Sequence, residues 1–133
     1  MKLTQQHQYE RAAWCRLLDY LQEENIHYKN RIADILRNDI GSSLIETLEL
    51  FLNKFVQEDS IISLLRHDIA ELNKKIPAKE SGDEQKENLD KIILTQDKLR
   101  KEVETIEQQF NKLKFTFNKY LSGHPNTSQE TSI

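Results

Sequence analysis

Very little in this sequence stops a helix. The 133 residues include three glycines and two prolines, and Pro77 and Pro125 both follow the end of a long apolar periodicity. So few breakers predict long, uninterrupted helices. A single cysteine, Cys15, excludes an internal disulfide and a metal site built from several thiolates; it fits a reducing compartment, and a cytoplasmic location is the expectation. No stretch approaches the ~20 apolar residues that a bilayer span requires. The opening MKLTQQHQYERAAW carries no apolar run behind Lys2, so it does not read as a secretory signal, and no membrane partner is expected. Charge of one sign is also lacking. The 19 Lys and Arg against 22 Asp and Glu leave a net of −3, without the basic surplus that displaces counterions from nucleic acid, so no nucleic-acid partner is expected either.

Spaced hydrophobicity is what the chain has in abundance. Over about 4–39, Trp14, Leu18, Leu21, Asn25, Tyr28, Ile32 and Ile35 recur in steps alternating four and three, the rhythm of a coiled-coil seam. Leu18, Asn25 and Ile32 take position a, and Trp14, Leu21, Tyr28 and Ile35 take d. Cys15 then falls at e, half-buried. A second helix over 43–76 keeps the rhythm through Leu44, Leu48, Phe51, Phe55, Glu58, Ile62, Leu65, Ile69, Leu72 and Ile76. A third over 87–121 runs Leu89, Ile92, Gln96, Leu99, Val103, Ile106, Phe110, Leu113, Phe117 and Tyr120. Thr4 is a plausible first N-cap. Gly41 is placed to close the first helix with a positive φ, and Ser43 with Glu46 has capping-box spacing for the second. Pro77 ends the second helix, 78–87 reads as a polar loop, and 122–133 as a disordered tail. Connections this short force hairpins. The fold expected for 1–121 is all-α: an elongated antiparallel three-helix bundle, up-down-up, with coiled-coil-like packing.

Asn25, Glu58 and Gln96 interrupt the apolar seams. Counted from the first hairpin, Asn25 and Glu58 come within about a turn of each other. Either they form a buried pair that fixes register, or Glu58 snorkels to water at the bundle edge. The stretch from Asn25 to Ile32 resembles the seam of leucine zippers, with Asn and then Ile at successive a positions. A DNA-binding zipper also needs a basic helix just upstream, and residues 1–13 hold only Lys2 and Arg11.

Catalytic signatures are scarce. Glu24 and His27 have the Glu-x-x-His spacing of carboxylate-bridged di-iron bundles, but the register turns both off the core and no second copy exists. No metal or cofactor is expected, and no enzymatic activity. Leu64-Leu65-Arg66-His67-Asp68-Ile69 is similar to the phosphoacceptor box of sensor histidine kinases, where an acidic neighbour orients the imidazole or takes its proton. Ala70-Glu71-Leu72 follows where that family has Pro or Asn, and no Gly-rich ATP-binding domain is present. The resemblance therefore implies a histidine phosphotransfer bundle with His67 as phosphoacceptor and Asp68 beside it.

A stronger functional signal is apolar surplus. Ile26, Ala33, Ile61, Leu64, Leu94 and Phe115 fall off the seams, and several large apolar residues left outside a core mark an interface when contiguous. The leading expectation is a non-enzymatic helical scaffold or protein–protein interaction module whose partner is a protein or a second copy of itself, as a homodimer. The alternative is phosphotransfer through His67.

Overall fold

The computed structural model of the chain describes residues 5–76 and 83–123. They form three helices, α1 (Gln5–Leu36), α2 (Ser42–Lys75) and α3 (Asp83–Ser122), which make an all-α three-helix bundle. At ~1.5 Å per residue, the 40 residues of α3 extend about 60 Å. Thr4, Pro77 and the 124–133 tail lie outside the described residues.

Helix ends depart from the sequence expectation at several points. α1 stops at Leu36, because Arg37 N–H bonds the Asp34 carbonyl and Asn38 N–H the Ile35 carbonyl, at 3.3 and 3.1 Å. Such i→i−3 turns tighten and end a helix before Asn38 and Asp39, which are poor helix formers. Gly41 does not close α1 with a positive φ. It is the N-cap of α2, extended at φ −65 and ψ 152, and its carbonyl accepts Ile45 N–H at 3.0 Å. The capping box does not form either: Ser43 lies inside α2, no side chain caps that end, and the Ser43 carbonyl accepts the Thr47 hydroxyl. α3 begins at Asp83, within the expected loop, since 83–87 holds helix formers and no breaker.

Side-chain contacts establish the topology. From Arg11 to Asn25 to Lys29 up α1, the partners descend α2 from Asn73 to Asp59, so the two helices are antiparallel. Glu10–Arg100, Glu24–Lys114 and Tyr28–Asn118 each join α1 to α3 at a constant separation of 90 residues, the mark of a parallel, in-register pair. α2 packs closely along both neighbours, whereas α1 and α3 approach less closely.

The predicted seams form the core. All seven α1 seam residues are buried, as are Leu48, Phe55, Ile62, Ile69, Ile106, Phe110 and Phe117 on the facing helices. Tyr28 stacks on Phe55 with ring centroids 5.2 Å apart, and Phe117 meets Tyr28, Phe51 and Phe55 edge-on. This aromatic cluster joins all three helices toward the α1–α2 connection, with geometry favourable for ring quadrupoles. Ile93 and Leu121 widen the α3 seam. Cys15 is exposed rather than half-buried; its short side chain does not reach the flank that Gln22, Lys29 and Leu36 partly cover at the same register.

Candidate interaction surface

Polar cross-links in this bundle are distributed unevenly. Among the described residues, every inter-helix side-chain hydrogen bond or ion pair includes a residue of α1. Toward α2, Asn25 Nδ2 donates to the Phe55 carbonyl at 2.8 Å and to Asp59, which also pairs with Lys29, and Arg66 pairs with Asp19. Toward α3, Arg100 grips Glu10 through Nε and Nη2 at 2.6 and 2.7 Å, and Lys114 Nζ donates to Glu24 at 2.9 Å. Both contacts join position g of α1 to position e of α3, the flanks that carry ion pairs between parallel helices.

At one end the cross-links become a buried layer. Arg11, 8% exposed, donates through Nε to Asn73 at 2.7 Å and through Nη1 to Gln96 Oε1 at 2.8 Å. Gln96 Nε2 donates onward to the His7 carbonyl and to Glu10. Gln96 is thereby satisfied on every side by residues of α1. The Arg100 hydrogen bonds hold the Glu10 carboxyl below its ordinary pKa, and Glu10 in turn raises that of Arg100. Arg11 stands one heptad before Leu18, at position a; extending the seam backwards by that step identifies it.

The α2/α3 flank is different. Among the described residues no side-chain hydrogen bond or ion pair crosses it. A groove of about 500 Å³ lies between Ile61, Leu64 and Asp68 of α2 and Lys101, Thr105 and Gln109 of α3. Its continuation, about 320 Å³, is lined by Lys54, Gln57 and Glu58 with Lys112, Leu113 and Thr116, and Gln109 borders both. Glu58 is buried here, with Oε2 unpartnered, and desolvation raises its pKa. The two residues Asn25 and Glu58 therefore do not pair. Asn25 finds Asp59, one residue further along α2, while Glu58 turns toward α3, because successive helical residues point about 100° apart.

The off-seam apolar residues divide among the helices. Ile61 and Leu64, 39% and 59% exposed, line one groove together. Leu94 and Phe115 are both exposed, 21 positions apart on α3, and Ile26 is exposed on α1 with Ala33 half-buried two turns on. His67 is exposed on α2, whereas Asp68 is half-buried and lines the groove, so the two side chains diverge. His27 is exposed, and Glu24 accepts from Lys114 and from the Tyr20 hydroxyl. Among the described residues no group of three His, Cys, Asp or Glu side chains is placed to hold a metal, and no helix is long and apolar enough to cross a membrane.

Fold and surface together define an all-α three-helix bundle with two flanks tied by polar side chains and one left open. No protein-family model matches the chain, and comparisons with curated proteins and with solved structures give no match.

Proposed function

We propose that this chain is a non-enzymatic helical interaction module that self-associates through the open α2/α3 flank. The observation that carries the reading is the asymmetry of that flank: it lacks the cross-links of the α1 flanks and exposes Ile61 and Leu64 along a continuous groove. Water is an unfavourable neighbour for such surface, at about 25 cal/mol per Å² of apolar area, and a helix from a second protein covers it. A homodimer and a cytoplasmic location accompany this reading. Replacing Ile61 and Leu64 together with Lys lowers the association state and leaves helical content unchanged. An unaltered mass for that variant rules this flank out as the interface.

A second reading, from a different class, draws on the exposed position of His67 on α2. Under it, a phosphorylated response-regulator receiver labels the wild-type chain but not His67→Gln, and absence of label on the wild type removes it.

A further inference from the structure

The open flank carries its charges in a definite order along α2. Along α2, Lys54, Gln57, Ile61, Leu64, Asp68 and Glu71 follow one another at alternating steps of three and four, so they form one stripe; the first five line the groove and Glu71 the adjoining cleft that Asp68 shares. The stripe is basic at one end, apolar in the middle and acidic at the other. Lys54 leans over the Phe51 ring, 5.9 Å from its centroid, and has no carboxylate partner among the described residues. Asp68 lacks a cationic partner among them as well, and Glu71 has only an exposed contact with Lys74 in the next turn. Across the groove from Lys54 stands Lys112 of α3, which reinforces the basic end. Lys98 and Lys101 of α3 and Lys75 of α2 line the acidic end, none of them within ion-pair distance of Asp68 or Glu71, and Lys98 is 3.9 Å from Glu102 of its own helix.

We infer that a second copy of this chain docks by laying its α2 antiparallel on α2, about a twofold axis between Ile61 and Leu64, with Lys54 of each copy paired to Glu71 and Asp68 of the other. The inference rests on the self-association proposed above and specifies its geometry. The spacing of the stripe reads the same in both directions about that axis. Ile61 meets Leu64 of the other copy, Gln57 meets Asp68, and Lys54 meets Glu71, each contact occurring twice as an isologous interface requires. Parallel packing in register instead stacks Lys54 on Lys54, Asp68 on Asp68 and Glu71 on Glu71, and like charges in juxtaposition disfavour it. Two apolar residues per copy, Ile61 and Leu64, make a small core, so the dimer is a weak one that forms and dissolves with concentration.

Charge reversal in the full chain tests the geometry. Sedimentation equilibrium of Lys54→Glu is expected to show dimer dissociation raised about tenfold or more, while Lys54→Glu combined with Glu71→Lys returns to within about threefold of wild type. In a Cys15→Ser background, Gln57→Cys with Asp68→Cys is expected to form an intermolecular disulfide under mild oxidation. A wild-type dimer that neither responds to Lys54→Glu nor cross-links at these positions overturns the antiparallel geometry while leaving self-association intact. A wild type that is monomeric at every concentration overturns both.

Discussion

Arg11 and Gln96, 85 positions apart in the chain, meet in the bundle interior with Nη1 of the arginine 2.8 Å from Oε1 of the amide. Neither side chain is at home in a core, yet each bonds the other, Asn73 accepts from Arg11, and Glu10 and the His7 carbonyl accept from Gln96. Such a layer is costly to misalign. A slip of α3 along α1 takes the Gln96 acceptor from a buried guanidinium, so the layer favours the observed parallel register.

Removing both members should therefore cost less than the sum of removing each alone. Gln96→Leu removes the acceptor of Arg11 Nη1 and leaves that buried guanidinium with Asn73, and a loss of about 1–3 kcal/mol is expected in urea unfolding. Arg11→Leu combined with Gln96→Leu is expected to lose clearly less than the two single changes added together, because neither side chain is left buried without the other. Strict additivity would mean that the two side chains act independently.

Glu58 gives a pH dependence of definite sign. Burial raises its folded pKa above the ordinary value of 4.5, so the folded chain holds this proton more tightly than the unfolded chain. Its contribution to stability is greatest below 4.5 and is lost as pH rises through the folded pKa. Glu58→Gln removes that slope, and Glu58→Leu raises stability at neutral pH by about 1–3 kcal/mol, the usual cost of an unpaired buried polar group. Urea midpoints measured from acid to neutral pH check both.

The acid limb has the opposite origin. Arg100 lowers the pKa of Glu10, chiefly by hydrogen bonding, and Lys114 does the same for Glu24. These carboxylates stabilise the fold above 4.5, and the benefit is lost as pH falls through their lowered folded values. Both pairs are part-exposed, and pairs of this kind contribute about 0.5–1 kcal/mol each. Glu10→Gln is expected to cost about that much at pH 7 and to flatten unfolding on the acid side. An acid limb as steep as that of wild type contradicts this assignment.

Most of the fold was legible because a sustained alternation of three and four admits few structures. Leu18, Ile32, Phe55, Ile69, Val103 and Phe117 are buried where that rhythm places them, and short connections dictate up-down-up. Helix ends were less legible, since Gly41 suits a C-terminal cap and an N-cap alike, and the i→i−3 turns after Leu36 decide between them. Polar partners were least legible. Asn25 and Glu58 are close in register, but one residue of helical rotation turns Glu58 to α3 and gives Asn25 to Asp59. The open flank was half visible: periodicity marks Ile61 and Leu64 as surplus, whereas the absence of cross-links between α2 and α3 is a property of the assembled bundle.

The central claim, self-association through that flank, is tested most directly by absolute mass from light scattering over a wide concentration range. The account predicts a mass that rises with concentration from the 15.7 kDa of one chain toward twice that value. A mass constant at 15.7 kDa throughout would contradict it.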